Sequence, residues 1–483
     1  MTRLLTQFAL PIFVLLFVCL MASRDVSAQN SLPSKPVAQT STPPPSAGDD
    51  SKDSGDLLTV FPHSETSRYW ISGQANIILQ WHPAFPAKYS GPHSLLPVGE
   101  NATSKWFTLY LGYELTSTTE VFLDPESASG RGISGGEGLA GTTNLDVVHI
   151  SSGGSLGSKP YIGRVMLRQI IPLSKDRVDA ERDELHLATS LPARRIEIRI
   201  GKFSLADFFD VNSRGSDTHL QFLNGTVDNN GAWDYAADTR GYTDGVLLEY
   251  DDHWWSVRFA EALMPKMANN TFLDADIARA RAENLEFEAR GSLIAHRSGT
   301  VRLLSYLNHA NMGNYAESIR DFFNHETPTP DIKFTRRQGR HKYGFGLNFE
   351  QEITPQVGIF GRVGWSDGHN ESFAYTEDDR TFELGGFSTG EKWRRKNDRA
   401  GVAFVANGIV AAHQHYLALG GLGFLLGDGA LTYGPEKIFE GFYTAHLWRG
   451  FYLAFDVQHI NNPGYNQARG PVLVPAVRFH ADF

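Results

Sequence analysis

From Leu473 to Phe483 the chain alternates without a break. The odd positions read Leu473, Pro475, Val477, Phe479, Ala481 and Phe483, and Arg478, His480 and Asp482 stand between the last of them. Side chains along a strand point to opposite faces with a period of two, so this segment carries one apolar and one charged face. Two settings accommodate such a strand. In a soluble sandwich the apolar face is buried in a core. In an outer-membrane barrel it meets lipid and the charged face meets a wet lumen. A last strand that stops on Phe483 is the pattern read by the assembly machinery of bacterial outer membranes, so the barrel is the expectation.

The other end agrees. Arg3 opens a short positive region, Phe8 to Met21 is apolar apart from Pro11, and Val26-Ser27-Ala28 offers a small-residue cleavage site. Residues 1–28 therefore read as a secretory signal peptide, cut before Gln29. The apolar run falls short of the ~20 residues a spanning helix needs, which weighs against an uncleaved anchor. Cys19, the single cysteine, lies inside this segment behind Val18, where a lipoprotein signal wants a small residue. The exported chain is expected to have no disulfide, which leaves metal and hydrophobic packing as the stabilisers of a soluble domain, or else a lipid-embedded barrel.

Composition bears on the choice. A length of 483 residues suggests two or three soluble domains, yet no segment after the signal is apolar for long enough to form a spanning helix. Aromatics make up 12% and glycines number 47, while the mean hydropathy is only −0.28. A barrel with a wet lumen has this profile, because only every second strand residue meets lipid. A net charge of −10 excludes nucleic acid as a partner, which wants a basic stripe.

Residues 29–66 are rich in Pro, Ser, Thr and Asp, including Pro43-Pro44-Pro45 and Asp49-Asp50, and read as a flexible periplasmic extension. Residues 67–483 then form one domain of strands and turns. Phe107, Leu109, Leu111 and Tyr113 oppose Thr108, Tyr110, Gly112 and Glu114; Ile196, Ile198 and Ile200 oppose Glu197 and Arg199. Trp255, Val257 and Phe259 oppose Ser256 and Arg258; Phe345, Leu347 and Phe349 oppose Asn348 and Glu350. Val357, Ile359, Val363 and Trp365 oppose Phe360 and Arg362; Phe451, Leu453, Phe455 and Val457 oppose Tyr452, Asp456 and Gln458. In a bilayer only a closed sheet satisfies every backbone group, so an all-β, antiparallel transmembrane barrel is expected. Asp274 to Arg290 breaks the pattern, with helical propensity and Ala-Arg spacing, and reads as a short helix in a loop.

Several longer stretches carry a family likeness. They are Gly201–Asn212 (GKFSLADFFDVN) with Asn229–Gly241, and Arg302–Gly313 (RLLSYLNHANMG). Further on come YGFGLNFEQE from Tyr343, Gly358–Asp379, Ala418–Tyr433 (ALGGLGFLLGDGALTY), Gly434–Tyr443 and Asn461–Gly470 (NNPGYNQARG). In these the chain resembles the carbohydrate-selective porins of the OprB type. The resemblance implies a 16-stranded antiparallel barrel in the Gram-negative outer membrane and passive diffusion of monosaccharides or short oligosaccharides. Residues 68–160 resemble the family less clearly.

If the apolar positions face lipid, the opposite set faces the lumen. That set includes Glu114, Glu120, Arg164, Arg168, Glu197, Arg199, Arg258, Arg302, Glu350, Arg362, Glu440, Asp456 and Arg478. A ring of one sign selects ions by its field. A mixed lining has little net field and many donors and acceptors, which suits neutral, hydroxyl-rich solutes. Arginine is the stronger donor, since its planar fork engages two oxygens. Arg362, on a well-placed strand, is the first choice for sugar contact. Tyr110, Phe360, Phe442 and Tyr452 are candidates for stacking on a pyranose. For any single charge the competing role is pairing across the wall.

Other motifs carry less. Gly130-Arg131-Gly132-Ile133-Ser134-Gly135 fits GxGxxG, but more glycine follows where a helix is needed, so it reads as a loop, one able to fold inwards as a constriction. His413, His415, His446, His459 and His480 lack zinc-ligand spacing, and neither metal nor cofactor is expected. Trp106, Trp255, Trp365 and Trp448 are expected in interfacial girdles, with packing in a soluble core as the alternative. A general or oligosaccharide channel is the second functional reading. A barrel-rim enzyme is the third, though no GxSxG elbow or readable Ser-His-acid set occurs.

Overall fold

The computed structural model describes residues 57–147, 158–292, 294 and 296–483. The expected signal peptide and most of the expected extension lie outside them.

Among the described residues sixteen strands close into one antiparallel barrel. The wall begins with β1 (Tyr69–His82), β2 (Glu100–Thr116), β3 (Thr119–Gly130) and β4 (Tyr161–Pro172). A small separate hairpin, β5 (Arg177–Asp179) and β6 (Ser190–Pro192), interrupts it. The wall resumes with β7 (Arg195–Phe203), β8 (Thr243–Asp251), β9 (Trp255–Leu263), β10 (Arg281–Gly291), β11 (Gly299–Met312) and β12 (Arg337–Thr354). It is completed by β13 (Val357–Ser366), β14 (Arg380–Thr389), β15 (Arg399–Gly408), β16 (Glu436–Trp448), β17 (Phe451–Asn461) and β18 (Val472–Asp482). Closure is made by β1 on β18, with Ile77 opposite Phe479, and Phe483 exchanges backbone hydrogen bonds with Gly73 at 2.6 and 2.9 Å. Among the described residues no helix is long and apolar enough to cross a membrane.

The alternation sets the two surfaces. Phe107, Leu248, Phe345, Val402, Phe455 and Phe479 all stand exposed on the outside, whereas Arg168, Glu197, Asn348, Arg362 and Gln458 are buried inside. An apolar band of this extent is not stable in water. It belongs in hydrocarbon, where every strand of a closed sheet has its backbone bonds satisfied.

Two expectations fail here. Residues 281–291 form strand β10 rather than a helix. Ala282, Asn284, Glu286 and Glu288 point inwards and are buried, and pairing to both neighbours overrides the helical preference of Ala and Glu. Trp106 faces inwards with Ser104 and Thr108, its indole donating to the Thr108 hydroxyl at 3.2 Å, so it is no girdle residue. Trp255, Trp365 and Trp448 do sit at strand ends on the outer face, where Trp448 stacks on Phe451 and Trp365 on Phe345.

The connections at one barrel end are mostly tight, as at 117–118, 252–254, 355–356 and 449–450, and at the other they are long. Residues 57–66 lie at the short-turn end: the Val60 amide donates to the Asp482 carbonyl at 2.9 Å and Arg182 donates to the Glu65 carbonyl at 3.1 Å.

Candidate functional site: a charge ladder in the lumen

Strand register places the inward charges side by side. Glu120 lies opposite Arg168 on β4, Glu249 on β8 opposite Arg258 on β9, and Glu288 on β10 opposite Arg302 on β11. Arg168 and Arg199 are also directly opposed, a repulsive pairing in itself. Glu197 resolves it by accepting from Arg168 at 2.7 Å and from Arg199 at 2.6 Å. The ladder continues through Arg199 to Glu249 (2.8 Å), Arg258 to Glu249 (2.6 Å), Arg258 to Glu286 (2.7 Å), Arg302 to Glu288 (2.8 Å) and Arg302 to Glu350 (3.0 Å). It runs from β3 to β12 in the half of the lumen nearer the short turns. Desolvating so many charges is costly, and partial repayment by pairing makes the wall a poor stability device for its size.

The long β7–β8 connection, residues 204–242, folds into the barrel and covers another part of the wall. This overturns the expectation for Arg362. Its side chain is fully buried, with its guanidinium 2.9 Å from Asp210 of the loop and 2.9 Å from Glu383. It also donates to the Val227 and Asp228 carbonyls at 2.7 and 2.9 Å and to the Ser216 hydroxyl at 2.6 Å. Glu440 accepts the Leu223 and Asn224 amides at 2.6 and 3.3 Å, and Arg478 donates to the Thr218 and Gln221 carbonyls at 2.6 and 2.9 Å. Asp456 is buried beside Gln458, which holds the Thr143 carbonyl at 2.9 Å. Arg164 pairs with Asp124 and, at 2.7 Å, with Asp207 of the loop. All five project inwards as the alternation predicts, but Arg164, Arg362, Glu440 and Arg478 anchor loops, and Asp456 is buried beside Gln458, which does.

The proposed stacking aromatics divide in the same way. Phe360 and Phe442 are buried against Phe222 of the loop, at ring distances of 5.6 and 4.7 Å, and Tyr452 is buried with its hydroxyl on the Leu58 carbonyl at 3.0 Å. None of the three offers a face to a sugar. Tyr110 stays half-buried and accepts from Gln74 at 2.6 Å. Glu114 is inward and half-buried next to the tight 117–118 turn, away from the ladder's cavity.

The glycine-rich β3–β4 loop also enters the lumen. The Ala140 amide donates to Glu436 at 3.2 Å, the Thr143 carbonyl accepts from Gln80 at 2.8 Å, and Asn144 donates to Ser104 at 2.9 Å. Gly138 makes this descent possible: at φ +86° a Cβ would fall 1.8 Å from the Leu95 amide nitrogen. Of the histidines, His413 and His415 lie on the short helix Ala411–Ala418 of a long loop.

What remains open on the ladder is a cavity of about 170 Å³. Arg168, Glu197, Arg199, Arg258, Arg302 and Glu350 all line it, so six of the residues expected from sequence converge there. Arg195, Glu249, Asp251, Glu288 and Arg290 join them and were not anticipated. Glu249 and Asp251 were readable from the alternation of Val246, Leu248 and Tyr250. Glu288 and Arg290 were hidden by the helical reading. Phe208 and Ser213 of the inward loop close one side, and Arg199 lies over the Phe208 ring at 4.7 Å. Around the cavity six arginines face eight carboxylates, so the net field is small while donors and acceptors are dense.

A closed barrel with an apolar outer band, inward loops and a charged, nearly balanced lumen defines a diffusion channel of the porin class. The sequence matches the model of the carbohydrate-selective porin, OprB family, over residues 115–483, and the chain belongs to that family. The match begins near the end of β2, so of the stretch 68–160 that resembles the family less clearly it includes 115–160 and leaves out 68–114. No curated protein sequence matches the chain. Among solved structures, the high-pH structure of Pseudomonas putida OprB is similar with a TM-score of 0.64 at 13% identity, covering 86% of this chain and 94% of that one. The outer membrane channel DcaP of Acinetobacter baumannii gives a TM-score of 0.47 at 9% identity, covering 86% and 97%. Family and fold together make this chain a sugar porin of the outer membrane.

Proposed function

We propose that neutral monosaccharides or short oligosaccharides cross this barrel passively and are selected at the arginine–carboxylate ladder. The observation that carries the reading is the cavity on which Arg168, Arg199, Arg258 and Arg302 converge with Glu197 and Glu350. A sugar offers adjacent hydroxyls that both donate and accept. Arginine forks and carboxylates set side by side can exchange their mutual bonds, or bound water, for those hydroxyls at little net cost. Ions gain less, because opposite charges a few ångströms apart cancel at the scale of a hydrated ion. Phe208 lines the cavity from beneath the Arg199 guanidinium, which lies 4.7 Å over its ring.

In this reading the short-turn end faces the periplasm, as in bacterial barrels generally. Residues 1–28 direct export and 29–66 tether or trail from the barrel without entering transport. The chain acts as a channel and carries out no chemistry. The test is single-channel recording in planar bilayers with a panel of sugars as blockers. Concentration-dependent interruption of the ion current by neutral sugars supports a selective site. Currents reduced only by the solution's viscosity point to a general channel.

A further inference from the structure

The β4–β7 connection, residues 173–194, differs in kind from the tight turns around it. Its β5–β6 hairpin pairs Arg177 with Pro192 and Asp179 with Ser190, and the tip turns back into the barrel mouth. Leu187 is fully buried, and the wall makes room for it at Gly112, where a Cβ would stand 3.1 Å from the leucine. The Leu187 and Ala188 amides donate to Glu120 at 3.2 and 3.1 Å, and that carboxylate also holds Arg168 at 2.8 Å. The hairpin is thus bonded to the ladder itself.

Its inner face contributes to the cavity: Asp183, Leu185, His186 and Leu191 line it together with Phe208 and Ser213. Asp183 and His186 pair at 2.8 Å and keep 18% and 17% of their side chains accessible, so each is held in place yet open to a solute. Backbone amides of Leu185 and His186, donating to Asp183 at 2.7 and 2.9 Å, fix the carboxylate.

We propose that this hairpin is the inner specificity wall of the sugar cavity, with Asp183 and His186 contacting a neutral pyranose and Leu185 flanking its apolar face. The ladder holds the solute from one side and the hairpin decides which solute fits against it. Asp183 accepts a hydroxyl proton, and His186 donates or accepts according to its tautomer. A group added or removed on the sugar ring then changes contact with this wall. The inference rests on the sugar-porin reading above.

The experiment is block of the reconstituted full chain's ion current by D-glucose and by D-xylose, which lacks the hydroxymethyl arm. It compares wild type, His186→Ala and Asp183→Asn, each checked for the heat-modifiable mobility of a folded barrel. Loss of one or two hydrogen bonds weakens glucose block about two- to tenfold and changes the glucose-to-xylose ratio. Leu187→Asp, which expels the hairpin tip, raises conductance and removes the discrimination. If wild type is blocked by glucose and both point variants keep its affinity and its glucose-to-xylose ratio, the hairpin has no part in specificity and the inference is overturned. If wild type itself shows no sugar block, the porin reading fails first.

Discussion

Arg302 and Arg362 stand at one level of the wall, each directly opposite Asn348 on the strand between them. Alternation assigns both to the lumen, and both are there. Their roles nonetheless diverge, because the 204–242 loop covers Arg362 and leaves Arg302 on the cavity. Parity reports the face a side chain takes; it carries no information about a loop that arrives from 135 residues away. The two arginines therefore predict different phenotypes. Arg362→Ala strands Asp210 and Glu383 as buried carboxylates, which costs about 3–5 kcal/mol. It should lower the unfolding temperature and give a larger, noisier conductance as the loop comes loose. A variant with normal stability and normal conductance but weaker sugar block would return Arg362 to the binding site. Arg302→Gln removes a charge that lines the cavity while paired with Glu288 at 2.8 Å and Glu350 at 3.0 Å. It should weaken sugar block about two- to tenfold, for a loss of roughly 0.5–1.5 kcal/mol, and shift ion preference towards cations. Reversal potentials in a salt gradient check the second effect.

The wall elements were legible wherever β-branched and aromatic residues alternate with polar ones, as in β9, β12, β13 and β17. β10 was not, because Ala, Arg and Glu favour helix locally and only pairing with β9 and β11 makes them a strand. The inward loops and the 173–194 hairpin were illegible for a related reason: their contacts are long-range and polar, without any period. The hairpin also brings a titratable group into the mouth. Burial, reinforced by the neighbouring Asp183, pushes the Glu184 carboxyl up to about 8, against the pull of Arg164. A glutamate titrates at about 4.3 in an unfolded chain, so the docked hairpin holds the proton more tightly than the free one. Docking is then favoured in full below about pH 4 and loses that contribution as the pH rises towards 8. Hydrogen exchange at residues 180–189, corrected for its intrinsic pH dependence, should show protection falling across this range. Glu184→Gln should flatten the profile, and an unchanged profile in that variant would mean another group controls the mouth.

As a whole the molecule inverts the usual arrangement of a globular protein. Phe107, Val402 and Phe455 are exposed outside, and Arg168, Glu197 and Glu249 are buried within. That inversion was readable from period-two patterning, balanced inward charge and the absence of a long apolar helix. The division of the lumen into anchored and open charges was not. The central claim is that a nearly neutral, arginine-rich cavity selects sugars by hydroxyl contacts. The most direct measurement is the wild-type channel's ion current in a planar bilayer as D-glucose is titrated in. A saturable, concentration-dependent block, retained in high salt because no net charge drives it, is the predicted result. A current that falls only in proportion to solution viscosity, with no saturation, would contradict the claim.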